Sequence, residues 1–139
     1  MKWLATLITL FTTIAPFALA QQTSESTHCD EQGFTIEKPQ HIQVELEGLL
    51  TVRNVRGRVN DASGAPLVGA RFEIKPMQGG AVLRAIVDGK GMFALPNVPD
   101  GPYKLKVTKD GFQAVWERIV VNRRARKADK LSFTVPVGV

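Results

Sequence analysis

Residues Asp88–Val107 read DGKGMFALPNVPDGPYKLKV. Gly89, Gly91, Pro96, Pro99, Gly101 and Pro102 crowd this stretch, yet Phe93, Leu95, Tyr103, Leu105 and Val107 are threaded between them. Glycine supplies positive φ at tight turns and proline presets φ at corners. Apolar residues at every second position mark a half-buried strand. The stretch therefore reads as a turn, a strand, a tight corner and a second strand. A phosphate cradle is the other use of such glycines, but it needs a helix start behind them, and none follows Gly89 or Gly91.

The same grammar runs outward in both directions. LLTVRNVRGRV reads as one strand ending at Asn60-Asp61-Ala62-Ser63-Gly64. VGARFEIK places Val68, Ala70, Phe72 and Ile74 on one face and Arg71, Glu73 and Lys75 on the other. AVLRAIV and MFAL follow. YKLKV then sends Tyr103, Leu105 and Val107 inward and Lys104 and Lys106 outward. FQAVWERIVV and KLSFTVPV close the pattern. No stretch past the leader has helical periodicity. Short strands with turn signals at this spacing predict an all-β, seven- to eight-stranded antiparallel β-sandwich.

The chain has 139 residues, a single-domain length. Residues 1–20 read as a signal peptide: Lys2, an apolar run from Leu4 to Ile14, Pro16, and Ala18-Leu19-Ala20 as the cleavage signature. Cleavage after Ala20 leaves no transmembrane segment and implies a periplasmic or secreted protein. Residues 21–40 read as a flexible acidic arm, and 41–139 as the sandwich domain, with 41–54 as room for an extra strand opening at HIQVELE. Charge divides the mature chain: residues 21–47 carry one lysine against six acids, net −5, and residues 48–139 carry net +9. That asymmetry raises the expectation that the arm docks on the domain.

A single cysteine excludes an internal disulfide, so apolar burial must hold the fold. Cys29, in THCDEQG, is a candidate intermolecular thiol. His28-Cys29-Asp30 lack a second cluster to complete a coordination shell, so no metal and no cofactor are expected. The mature histidines, His28 and His41, precede the strands that run from Gly48 onward. A serine there has no histidine base, and no catalytic residue can be assembled.

GRVNDASGAPLVGARFEI and VDGKGMFALPNVPDGPYKLKVTKDGF together resemble the carboxypeptidase regulatory-like domain, over about residues 55–137. The resemblance rests on Gly57, Val59, Asp61, Gly64, Pro66, Leu67, Gly69, Ala70, Asp88, Gly91, Phe93, Pro99, Gly101, Tyr103, Leu105, Val107, Gly111 and Phe112. It implies a seven-stranded transthyretin-like sandwich serving as a non-catalytic folding, docking or binding module. Enzymatic relatives of that fold are a poor match. Hydroxyisourate hydrolases carry histidines within the sandwich and end in Tyr-Arg-Gly-Ser, whereas this chain ends PVGV. Intradiol dioxygenases hold iron with two tyrosines, and Tyr103 is the only tyrosine here. Adhesin repeats that close an isopeptide bond place an acid where Val107 stands.

The expected function is thus an exported, non-enzymatic module for binding or structural interaction at the cell envelope. Its candidate site is the basic run Arg123, Arg124, Arg126 and Lys127, with Arg118 nearby. Such a run attracts a protein surface, an acidic glycan or a lipid head group. Nucleic acid is a poor partner for an exported protein with few aromatics beside its cations. The alternative, a carbohydrate-binding module, requires exposed coplanar aromatics, for which Trp116, Phe112 and Tyr103 are the candidates. Trp116 itself reads as core.

Overall fold

Each alternating stretch becomes a strand, and the turn residues between them set where it stops. The computed structural model describes residues 33–35, 43–46 and 48–138. The strands are β1 (Gln43–Glu45), β2 (Leu50–Val52), β3 (Val55–Asp61), β4 (Arg71–Pro76), β5 (Leu83–Ile86), β6 (Met92–Leu95), β7 (Gly101–Thr108), β8 (Ala114–Val121) and β9 (Leu131–Val135). One sheet has the order β1-β8-β7-β4-β5, with β2 also paired to β8, and the other has the order β6-β3-β9. Among the described residues no helix is long and apolar enough to cross a membrane. The predicted leader, most of the predicted arm, and His28, Cys29 and His41 lie outside the described residues.

Strands β3–β9 account for a seven-stranded sandwich, and β1 and β2 add two short strands along β8. Two details differ from the sequence reading. LLTVRNVRGRV is two strands, broken at Arg53-Asn54, where the chain crosses from the large sheet to the small one. The pairings of β1 and β2 with β8, and of β3 with β9, are parallel, while β3–β6, β4–β5, β4–β7 and β7–β8 are antiparallel. Alternation at period two fixes which face a residue occupies but carries no signal for the direction of the neighbouring strand.

The core lies between the sheets. Phe72 of the large sheet stacks on Phe93 of the small one at 3.9 Å between ring centres, and Phe133 packs 6.2 Å and 6.3 Å from the two. Val59, Ile74, Leu105, Val107, Ile119 and Val135 complete a layer from which water is fully excluded. Gly57 permits the closest backbone approach. A Cβ there would sit 2.1 Å from the Leu131 carbonyl oxygen, so any side chain would prise β3 from β9.

Two aspartates fold the turns. The Asp61 carboxylate accepts the N–H groups of Ser63 and Ala65 and the Ser63 hydroxyl, and that of Asp88 accepts the N–H groups of Lys90 and Met92. Gly91 then takes φ of 78°, pressed against Pro66 and the Val59 carbonyl. The Ser63 hydroxyl holds the Asp61 carboxyl below the ordinary 3.8, and the Met92 and Lys90 N–H groups do the same for Asp88. A carboxyl depressed in the folded state stabilises above its unfolded pKa and loses that contribution as pH falls through its folded value. The urea midpoint should therefore sag as pH drops below 3.8. An Asp61→Asn, Asp88→Asn double variant keeps acceptors in both turns without the charge. It should start from a lower midpoint at neutral pH and show a flatter acid limb. An equal acid slope in both proteins would contradict the assignment.

Candidate functional site

The basic run forms the loop between β8 and β9, and its backbone is fixed from several sides. Asn122 starts a turn: its side-chain oxygen accepts the Arg124 N–H, and its carbonyl accepts the Ala125 N–H. From the β2–β3 crossing, the Arg53 guanidinium donates to the carbonyls of Ala125 (2.6 Å) and Arg126 (2.5 Å). Asp129 and Thr51 exchange two hydrogen bonds, Thr51 N–H to the carboxylate at 2.9 Å and Asp129 N–H to the Thr51 carbonyl at 2.7 Å. The loop is thus pinned to the sheet edge at both limbs.

The five predicted cations are not equivalent. Arg123 is a brace: it donates to the Val98 carbonyl at 3.1 Å and lies 3.5 Å from the Asp100 carboxylate. That corner is itself held by the Tyr103 hydroxyl, which donates to the Pro99 carbonyl at 2.8 Å. Burial, and then the Asp100 charge, push the Tyr103 phenol above its ordinary range, so it stays a donor at physiological pH. Arg124, Arg126 and Lys127 are exposed and form no ion pair with a described acid. Beside them run two open depressions of about 380 and 500 Å³, the first lined by Arg53, Arg56 and Arg123, the second by Arg53, Arg56 and Lys130. Arg53, Arg56 and Lys130 escape a reading of the sequence because their approach to the loop depends on the crossing at Arg53-Asn54. Only the basic spacing of TVRNVRGR hints at it.

Arg118 belongs elsewhere. It lies on the outer face of the large sheet, in cross-strand register with Lys104, which in turn pairs with Lys75. One row along, Arg84 on β5, Glu73 on β4, Lys106 on β7 and Trp116 on β8 stand in register. Glu73 and Lys106 have the outward phase read from the sequence, yet they are 0% and 1% exposed. Three described residues of the arm, Gly33, Phe34 and Thr35, cover them. Glu73 accepts the Thr35 N–H at 3.0 and 3.1 Å, Lys106 donates to the Thr35 carbonyl at 2.8 Å, and Arg84 donates to the Gly33 carbonyl. Arg84 also pairs with Glu73 at 3.2 Å. The Phe34 ring meets Trp116 edge-on at 5.1 Å, and the Lys104 and Lys106 ammonium groups lie 4.5 and 5.0 Å from the same indole.

That arrangement disposes of an aromatic platform. Tyr103 is in the core, Phe112 packs against it, and Trp116, though buried as read, is buried on the outer face beneath Phe34 and not between the sheets. Among the described residues no three His, Cys, Asp or Glu side chains come together as a metal site would require.

The turn chemistry at Asp61 and Asp88, the glycine at β3 and the seven core strands together match one family. The carboxypeptidase regulatory-like domain covers residues 54–136. The chain belongs to that family. Within this regulatory-like domain the basic loop and the outer face of the large sheet both lie in the matched span, whereas the segment covering that face precedes it. No curated protein matches the chain. Among solved structures it is similar to the Caf1A usher C-terminal domain, whose conserved surface hydrophobic clusters are important for F1 antigen assembly. Identity is 17% over 64% of this chain and 96% of that one, with a TM-score of 0.35, and at that score the likeness carries no argument about function.

Proposed function

We propose that this regulatory-like domain is an exported, non-catalytic binding module of the cell envelope that takes an anionic partner, an acidic glycan or lipid head group, on its β8–β9 loop. The observation that carries this reading is the division of labour among arginines. Arg53 and Arg123 are engaged with backbone carbonyls, while Arg124, Arg126 and Lys127 project from the loop those contacts fix. Cations held on a rigid loop lose little freedom when they meet an anion, which favours binding over mere solvation. The β-sandwich and its family are consistent with a structural or docking role, and the export signal read at residues 1–20 would place that role outside the cytoplasm.

Each exposed Lys or Arg near an anionic surface contributes about 1 kcal/mol, so three contribute about 3 kcal/mol, roughly a hundred-fold in affinity. An Arg124→Ala, Arg126→Ala, Lys127→Ala variant should therefore lose about a hundred-fold in retention on isolated envelopes, measured by co-sedimentation at low salt, while unfolding as the native protein does. Raising the salt should release the native protein as well. Equal retention of the two proteins, or retention indifferent to salt, would remove the loop from the interaction.

A further inference from the structure

The outer face of a sandwich sheet is ordinarily where charged side chains meet water. Here the row Arg84, Glu73 and Lys106 meets a peptide instead. Glu73 takes the N–H of Thr35, Lys106 gives to the carbonyl of the same residue, and Arg84 gives to the carbonyl two residues earlier. All three side chains address main-chain groups. The side chain of Thr35 goes unread: its hydroxyl is buried with no partner among the described residues. What the face requires of its occupant is a residue that takes positive φ where Gly33 stands (85°) and, one position before the clamped residue, an aromatic ring to set against Trp116. Main-chain hydrogen bonds supplying affinity, with one side-chain pocket supplying selectivity, is how proteins recognise peptide segments.

The resident segment also leaves this face incompletely satisfied. The Trp116 indole N–H is buried and has no acceptor among the described residues, so an occupant with an acceptor there gains a hydrogen bond that Gly33-Phe34-Thr35 does not make. The sandwich core lies on the opposite side of the sheet, so the layer can open without parting the two sheets.

From these observations we infer that the outer face of β5-β4-β7-β8 is a peptide-binding site, that Gly33-Phe34-Thr35 is its tethered occupant, and that it receives a glycine-aromatic segment of a partner protein. This surface is distinct from the basic loop and independent of the reading given to it. The partner is not the arm of a second copy. An identical arm gains no contact over the tethered one, which acts at an effective concentration near the millimolar range, so only a better-fitting sequence displaces it.

The probe is a fluorescein-labelled peptide of residues 31–38, EQGFTIEK, added to the full mature chain and followed by anisotropy. A Phe34→Ala chain, whose own arm is weakened, should bind the peptide at least about ten-fold more tightly than the native chain, whose arm competes. A peptide with alanine in place of its phenylalanine should bind that variant at least about ten-fold more weakly. Binding should survive about 0.5 M salt, because the contacts are buried. Loss in salt would put the acidic peptide on the basic loop and overturn the proposal. So would no binding to the folded variant, or equal binding of the two peptides. Should Phe34→Ala fail to fold, a Phe34→Leu chain, which keeps an apolar side chain but loses the edge-on ring contact with Trp116, takes its place in the same titrations with the same outcomes.

Discussion

Phe72→Ala should cost about 3 to 5 kcal/mol of stability, the range for removing a buried aromatic ring from a core that can collapse only partly. Phe72 is fully buried, stacked on Phe93 at 3.9 Å and 6.2 Å from Phe133, so its ring touches both strands of the opposing sheet that carry aromatics. Its two backbone neighbours, β5 and β7, hold it from either side, and neither can close the gap without breaking register. With one cysteine in the chain, no internal disulfide shares the burden. A domain of this size has a total stability of about 5 to 13 kcal/mol, so the loss takes about a quarter of it or more. Urea unfolding followed by circular dichroism should show a midpoint at least about a quarter lower with an unchanged slope. Phe93→Ala should cost a similar amount. The double variant should cost less than the sum, because the two rings border one cavity. A loss below about 1 kcal/mol for Phe72→Ala would mean that the two sheets do not meet there.

Phe72 was legible because the residues around it alternate cleanly and because turn signals bracket the stretch. Asp61, Gly64, Asp88, Gly91, Pro99 and Gly101 punctuate the chain for reasons local to a few residues, and local causes survive in a sequence. Longer-range causes do not. The break at Arg53-Asn54 lies inside a run that alternates acceptably on both sides, and what divides it is the demand of two different sheets. Parallel pairing of β3 with β9 joins segments far apart in the chain and leaves no mark in either. The loop was visible as a cluster of charge, but sequence proximity put Arg118 with it, whereas strand phase turns Arg118 onto the outer sheet face beside Lys104. The same phase made Glu73 and Lys106 look like solvated surface. Alternation reports which side of a sheet a residue faces and is silent on whether something lies over that side. The one hint was Phe34, a lone aromatic in an otherwise polar arm.

Lys106→Ala tests that covering layer most severely. The ammonium is 1% exposed, donates to the Thr35 carbonyl at 2.8 Å, lies 5.0 Å from the Trp116 ring centre and stands in register with the fully buried carboxylate of Glu73. Removing one member of such a buried charged set typically costs about 3 to 5 kcal/mol, because the charge left behind keeps its desolvation penalty. Arg84, at 3.2 Å from Glu73, and the Thr35 N–H still neutralise part of that charge, so the expected loss is about 3 kcal/mol, the lower end. Lys106→Met keeps most of the aliphatic body and should lose somewhat less. The sharper outcome is the pair: Glu73→Leu combined with Lys106→Met removes both charges and should cost less than the sum of the two single variants, since neither buried charge is left facing a missing partner, although the Thr35 N–H and carbonyl lose theirs. Urea midpoints of the four proteins close this cycle. Amide exchange at Thr35 supplies the second readout, because all three variants lose a hydrogen bond to the arm and should exchange faster there than the native chain. If the double variant were as unstable as the sum of the singles, Glu73 and Lys106 would be acting on separate surroundings, and the layer over β4 and β7 would not be a single unit.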